Sequence, residues 1–453
     1  MKQITLKVDL YEYSQVEKAC KLAAEKLGLN RDGLETDLQQ LTDLLEYYRD
    51  RQLHKNKADQ RTKVQVPAAT ATKCIEFLKS GNLVNKLNEL IGQAGIVGEE
   101  TNRILLFIIA SSYKMPDTLH ALIQGSSGSG KTQLLKVISE LMPPEDVKRY
   151  TRVTDNSFYN QDEYFFVQQL VCFEDLDGLK EDAQLAVREL QSNEILRTST
   201  SLKDKHGQIT GGERVVRGPI ASLACTTRGE VYEDNVSRSF LIAVDESREQ
   251  SLRVIRYQND RAAGLVSRDE QQKVRAFVQN CIRLLKPYEV INPYANRIKL
   301  PEEAHKIRRL NELYQCFVRQ ITLLNQYQRK QDGGGRLISE KADLQAACDI
   351  LFESILLKVD ELDGSLRQFF EKLKAFVQKK GKDYEFNRFE LREALGLSKS
   401  RQHYYISRLV ELEYLVQYGH ANRGYRYRIA HWDNIAAVRA RIKDSLQNQL
   451  DKL

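Results

Sequence analysis

Several features are missing from this 453-residue chain. No apolar run approaches the ~20 residues that a membrane span requires, which argues against a membrane partner. The opening Met1-Lys2-Gln3-Ile4-Thr5 lacks the apolar stretch of a secretory signal. The seven cysteines (Cys20, Cys74, Cys172, Cys225, Cys281, Cys316, Cys348) are scattered and odd in number, and no Cys-x-x-Cys pair occurs among them. That pattern argues against a zinc ribbon, and it makes buried free thiols in a reducing, cytoplasmic setting the expectation. No internal repeat is visible. Charge bias is weak too: 69 Lys/Arg against 62 Asp/Glu give +7, which permits a nucleic-acid partner without requiring one. A hydrophobic share of 42% supplies adequate cores, and the length calls for roughly two to four domains.

What is present centres on Gly125-Ser126-Ser127-Gly128-Ser129-Gly130-Lys131-Thr132, which fits Gly-x-x-x-x-Gly-Lys-Ser/Thr without a mismatch. Leu119 to Ile123 reads as a strand before it and Gln133 to Leu141 as a helix after it. Glycines let successive N–H groups turn inward around β- and γ-phosphates, and the helix N-terminus adds partial positive charge. In this reading Lys131 reaches the outer phosphates and the Thr132 hydroxyl holds Mg²⁺. The expected cofactors are ATP and Mg²⁺, and the expected chemistry is ATP hydrolysis.

A second acidic site belongs on a strand further on. Leu170-Val171-Cys172-Phe173 is such a strand, and Glu174-Asp175-Leu176-Asp177 emerges at its C-terminal end, where open α/β sheets bind ligands. One of Glu174 and Asp175 should serve Mg²⁺ and the other polarise the attacking water. The usual order is Asp then Glu; the reversed order here shifts each reach by roughly 1.5 Å. The alternative is an acidic strand end that caps a helix. A third strand, Pro219 to Cys225, ends in Thr226 and Thr227, whose hydroxyls suit a γ-phosphate or its water; simple turn residues are the rival reading. Arg238 stands just before the strand Phe240-Leu241-Ile242, placed to reach a neighbouring subunit's γ-phosphate. Glu233 and Asp234 are close enough in sequence to pair with it instead.

The ordered set of phosphate loop, acidic strand end, strand-tip Thr and Ser237-Arg238-Ser239-Phe240 resembles the AAA+ ATPases, and within them the branch of the minichromosome-maintenance replicative helicases. Glu174 to Gly178, Arg188-Glu189-Leu190-Gln191-Ser192 and Gln326-Tyr327-Gln328-Arg329 look closer still to helicase modules of bacterial mobile elements and phages, often found downstream of a zinc-finger and Toprim primase. Leu10-Tyr11 followed by two helices is similar to the segment that joins those parts. This chain has no zinc-ligand cluster, so the resemblance implies no primase activity. It does imply a homo-oligomeric ring, most often hexameric, acting on single-stranded or forked DNA beside a primase or other replication protein. It also implies a second-sensor arginine in the helical lid, where Arg308, Arg309, Arg319 and Arg329 are candidates and Arg319 is favoured.

Two segments suit DNA. Ile195 to Gln208 is Thr/Ser-rich with a Lys- and Gly-containing tip, and reads as a β-hairpin. The resembled helicases carry a pore hairpin at this place, with Lys203 and Lys205 as the phosphate contacts; a merely solvated tip is the alternative. Phe386 to Tyr427 reads as a winged helix-turn-helix: a first helix through Leu391, a Gly396-Leu397 turn, a second helix capped by Ser398, and a two-stranded wing. Lys379 to Arg428 holds 11 Lys/Arg against 6 Asp/Glu. Lys399, Arg401, Gln402 and His403 in the second helix and Arg423 at the wing tip are the candidate contacts. Such units also dock proteins.

The expected architecture is an α/β AAA+ P-loop core with a helical lid, a small mainly helical N-terminal domain and a C-terminal winged helix. Its boundaries fall at 1–62 (a strand over Ile4 to Leu10, then helices), 63–98 (linker and helix), 99–250 (ATPase core), 251–360 (lid), 361–432 (winged helix) and 433–453 (helical tail). Arg49 to Lys63 reads as polar linker, and Thr72 to Gly92 as one helical stretch. The leading functional expectation is a ring-forming, ATP-driven DNA helicase of a mobile element or phage. A helicase loader or transposition switch that binds DNA without unwinding is the alternative, and a winged-helix regulator with an ATP-sensing domain the third.

Overall fold

The computed structural model describes residues 4–60, 64–154, 156–203, 209–228, 238–360, 362, 364–420 and 424–453. The chain divides into two compact units, Met1–Gln65 and Val66–Leu453.

In the first unit, helix Tyr13–Leu27 ends at Gly28, whose left-handed φ of 72° lets its N–H close onto the Ala24 carbonyl. Helix Arg31–Gln60 follows, and Arg31 bonds both Glu17 and Glu35 at 2.9 Å. The expected strand over Ile4 to Leu10 is not formed. An alternating segment needs a partner edge, and the described part of this unit offers only helices. The expected linker is largely helix as well, through Gln60, because no Gly or Pro interrupts residues 34–66 and Lys, Arg, Gln and Ala favour helix.

The second unit is built on strands β1 (His120–Gln124), β2 (Val147–Tyr150), β3 (Gln169–Phe173), β4 (Ile195–Lys203), β5 (Ile209–Arg217), β6 (Ile220–Thr226) and β7 (Phe240–Ala243). Five of them form one parallel sheet in the order β2-β3-β6-β1-β7. The central strands β1, β3 and β6 are buried along their whole length, as strands covered on both faces must be. Helix Glu100–Ser111, buried from Ile104 onward, packs on the sheet beside helix Lys131–Glu140. β4 and β5 form a separate antiparallel hairpin, in register from Ile195↔Arg217 to Lys203↔Ile209.

The helical stretch expected over Thr72 to Gly92 is two helices, Ala68–Leu78 and Leu83–Gln93, parted at Asn82 with a left-handed φ of 57°. Cys74, Leu78, Leu87 and Ile91 carry both into the main core, so this segment is part of the body of the unit. After the sheet come helices Arg248–Ala262, Arg268–Arg283, Ile307–Leu324 and Lys341–Val359, with a short parallel pair β8 (Val290–Ile291) and β9 (Leu337–Ile338). Helices Gly364–Lys380, Arg388–Leu395 and Lys399–Glu411 then join a three-stranded antiparallel sheet, β10 (Phe386–Asn387), β12 (Gly424–Ile429) and β11 (Leu415–His420) in that order. This module has its own core around Phe370, Phe386, Leu391, Ile406 and Tyr427. Helix Ile435–Asp451 returns to the main core through Ile442, Leu446 and Leu450.

Arg329, just past helix Ile307–Leu324, and Asp343 of helix Lys341–Val359 tie these two helices together. The guanidinium bonds both carboxylate oxygens, at 2.8 and 2.7 Å, while Asp343 is fully buried and also accepts from Asn325 and Thr322. Removing one member of such a pair leaves an uncompensated charge inside. Asp343→Ala is therefore expected to lower unfolding free energy by about 3–5 kcal/mol, read by urea denaturation; a loss under about 1 kcal/mol, the range of exposed pairs, would contradict this view of the pair.

Candidate nucleotide site

The C-terminal ends of the parallel strands share one edge of the sheet, and the phosphate loop springs from the end of β1. Gly128 and Gly130 hold left-handed φ angles of 79° and 96°, which L side chains rarely adopt. At Gly125 a Cβ would lie 2.4 Å from the Val244 Cγ2 atom, so only glycine fits between β1 and the chain after β7. Gly130 ends the loop and helix Lys131–Glu140 begins, its N-terminal N–H groups facing the loop. The Lys131 side chain is buried, and its ammonium donates to the carbonyls of Gly125 (2.9 Å) and Ser126 (2.6 Å). Burial lowers its pKa. Ser127 and Thr132 stand exposed at the loop surface, and the buried Ser129 hydroxyl has no hydrogen-bond partner among the described residues. Left-handed glycines, a helix N-terminus and a lysine in the same turn fit a polyphosphate, with Thr132 available to its Mg²⁺.

β3 delivers the acidic group to the same edge. The Glu174 N–H continues the ladder to the Tyr150 carbonyl at 3.1 Å, and its carboxylate pairs with Arg149 of β2 at 3.0 Å. Asp175 is exposed, and its carboxylate accepts the Asp177 N–H at 3.0 Å, bending the chain back. Asp177 then meets the strand-tip threonines. It accepts from the Thr226 hydroxyl at 2.7 Å and from the Thr227 N–H and hydroxyl at 2.7 and 3.0 Å. The Leu176 N–H donates to the Cys225 carbonyl at 2.9 Å, a second tie between the ends of β3 and β6. The Cys225 thiol lies among these groups. Burial pushes its pKa up to about 12, Lys131 opposes the shift, and Glu174 and Asp175 add to it.

Asp177 is thus the carboxylate that joins the acidic strand end to Thr226 and Thr227, a role the sequence reading gave to no residue. The signal lay in the third carboxylate of Glu174-Asp175-Leu176-Asp177, two positions past Asp175, where a tight turn returns a side chain to the sheet. Arg149 and Glu246 were also missed. Glu246, just beyond β7, accepts the Ser126 N–H at 2.5 Å. Neither carries a sequence pattern, since their closeness to the loop arises from strand order alone.

Arg238 and Arg319 lie elsewhere. The register Ala121↔Phe240 puts Arg238 level with the start of β1, at the opposite end of the sheet from Gly125. At about 3.3 Å per residue that is roughly 20 Å from its own loop, beyond the reach of an arginine. Arg319 pairs with Asp117 at 2.7 Å, ahead of β1 and at that same far end. The structure does not bring it to the phosphate loop, because helix Ile307–Leu324 crosses the wrong end of the sheet.

Among the candidate DNA contacts, Lys399 and His403 are exposed on the opening turns of helix Lys399–Glu411. Gln402 is a correction: it is 2% exposed, and its amide donates to the Arg388 carbonyl at 2.5 Å. Its position turns inward to join two helices of the module. Arg401 is partly buried and faces Glu246, at 3.5 Å. Lys203 ends β4, with no description of its side chain, while Lys205 and Arg423 fall outside the described residues.

A family model described as MTBMA_p00010 P-loop domain matches residues 67–286. The matched span takes in the loop, the whole parallel sheet and helices Ala68–Leu78 and Leu83–Gln93. The chain carries a P-loop domain of the α/β class, a nucleotide-binding fold. No curated protein matches the chain. Among the described residues, no helix is long and apolar enough to cross a membrane.

If Asp177 transmits between the carboxylates and the threonines, Asp177→Ala should lower kcat for ATP hydrolysis on the order of 10²-fold while leaving nucleotide affinity little changed. Steady-state hydrolysis beside fluorescent-nucleotide titration reads both, and an unchanged kcat would refute the role.

Proposed function

We propose that this protein is a ring-forming, AAA+-type ATPase that translocates on and unwinds DNA in the replication of a mobile element or phage. The observation that carries the reading is the position of the β4–β5 hairpin. It branches from the chain between β3, which bears the acidic group, and β6, which bears Thr226. Its base is fixed to this region: the Gly218 N–H donates to the Glu194 carbonyl at 2.6 Å, and Arg217 pairs with Glu163 at 2.8 Å. A shift of β6 against β3 when phosphate is lost would be carried along nine paired residues to the lysine-bearing tip. Lys203 and Lys205 would there hold the DNA backbone through charge, with an affinity that falls with salt.

In this mechanism the loop would bind the nucleotide, Lys131 would neutralise its outer phosphates, and Thr132 would hold Mg²⁺, which would offset the phosphates' negative charge. Asp175, exposed at the strand end, polarises water. Glu174, neutralised by Arg149, lies beside it, and Thr226 with Thr227 registers the phosphate through Asp177. Arg238, unable to reach its own loop, completes a neighbour's site. That geometry favours a ring, as the resemblance to hexameric helicases does. The helix pair and three-stranded sheet of the C-terminal module support the winged-helix reading, which would turn Lys399 and His403 toward DNA. Tyr418 and Arg428 add a basic-aromatic face to its hairpin, the guanidinium lying 5.7 Å from the ring centroid.

One observation favours a second reading. The Glu174–Arg149 pair holds the carboxylate that leads the acidic run, so hydrolysis could be slow and the protein an ATP-gated loader or assembly switch. Strand displacement separates the two. The parent is expected to unwind a forked DNA duplex in an ATP-dependent manner, and Lys131→Ala to release no strand. Hydrolysis on DNA with an intact fork would reject the helicase and leave the switch.

A further inference from the structure

The place of Arg401 in the opening turn of helix Lys399–Glu411 directs it toward DNA on sequence grounds, yet its guanidinium lies against the ATPase core. Its Nη1 atom is 3.5 Å from one carboxylate oxygen of Glu246, while the other oxygen accepts the Ser126 N–H at 2.5 Å. A side chain of the C-terminal module thus reaches the second residue of the phosphate loop through a single carboxylate. The contact is half-enclosed, with side chains 27% and 28% exposed, and a small cavity between Gly125, Val244, Phe369 and Tyr405 adjoins it. Tyr405 stacks on Phe369 at 4.9 Å, and the Arg401 guanidinium lies 6.0 Å from the Tyr405 ring centroid, so packing supports the arginine from behind. Glu246 and Arg401 also bear in opposite senses on the protonation of Lys131.

A phosphate loop is arranged for anions, and Glu246 sets a fixed negative charge at its margin. Beside bound phosphates that charge would be repulsive unless a cation accompanied it. Arginine binds phosphate through paired, charge-assisted hydrogen bonds and prefers it to a single carboxylate oxygen at long range. We propose that Arg401 is a nucleotide-contacting residue, supplied in cis by the C-terminal module to the terminal phosphates of a bound nucleoside triphosphate. Glu246 is the counter-charge that positions it at the loop. The proposal rests on the phosphate-loop reading of the site, and it gives Arg401 to the nucleotide instead of DNA. A bound nucleotide then clasps the module to the ATPase core, so DNA held by Lys399 and His403 is coupled to the nucleotide through one helix.

The test is titration of the full-length protein with a fluorescent, non-hydrolysable MgATP analogue, alongside DNA binding at fixed salt. Arg401→Ala should weaken the analogue roughly tenfold or more, the scale of one charge-assisted hydrogen bond, and Arg401→Lys should restore part of the loss. Arg408→Ala, which removes the same charge from the same helix, should bind the analogue as the parent does. Glu246→Gln should bind it as tightly as the parent or tighter, because a competing anion has been removed. Loss in Glu246→Gln equal to that in Arg401→Ala would mean that the pair only braces the structure, and would overturn the proposal. So would parental nucleotide affinity in Arg401→Ala, with or without a loss of DNA affinity. Failure of the parent itself to bind the analogue would instead defeat the phosphate-loop reading, and this proposal with it.

Discussion

Asp177 holds the ends of two neighbouring strands together, and the candidate nucleotide site is built around that tie. Three donors from Thr226 and Thr227 converge on one carboxylate placed immediately after the acidic strand. A carboxylate that accepts several hydrogen bonds is held in one orientation. The tie also fixes the strand that lies between the acidic group and the phosphate loop, because β6 pairs with β3 on one side and β1 on the other. The loop, the acidic run and the threonines therefore keep a common frame. In the proposed motor, movement at a phosphate would pass through this tie into β6, and from β6 into the hairpin that precedes it.

The sheet has two ends with different duties. Its C-terminal edge gathers Lys131, Glu174, Asp175, Asp177, Thr226 and Glu246. Its N-terminal edge holds Arg238 and the Arg319–Asp117 pair. Arg238 is too far from its own phosphate loop to touch it, and the proposed ring gives it a neighbour's site to reach. The C-terminal module approaches the first edge through Arg401, so the phosphate loop and the module proposed to hold DNA are adjacent within one chain.

Much of this was legible in the sequence, and what was legible shares a cause. The phosphate loop is local: its glycines and lysine act within eight positions, so spacing reveals them. The buried strands show as apolar runs, and the β4–β5 hairpin as a polar Thr/Ser stretch ending in Lys and Gly. The failures are non-local. Ile4 to Leu10 alternates as a strand does, but no neighbouring edge pairs with it. Gln402 is as polar as its exposed neighbours, yet helical phase turns it onto the Arg388 carbonyl. The sequence reading favours Arg319 among the candidate arginines, but which of them lies near the loop depends on which end of the sheet each helix crosses. Glu246 reaches the loop only because β7 pairs beside β1.

The proposed ring requires that one subunit's site be finished by another's Arg238, and mixing two inactive variants tests this directly. Lys131→Ala lacks its own phosphate cation but keeps Arg238; Arg238→Ala keeps an intact loop but offers its neighbour nothing. Each alone should hydrolyse ATP poorly, and mixing them should restore DNA-stimulated hydrolysis at the junctions where an intact loop faces an intact arginine. If the mixture stays as inactive as its parts, or if Arg238→Ala alone hydrolyses ATP at the parent rate, the shared site does not exist and the account of a ring motor fails.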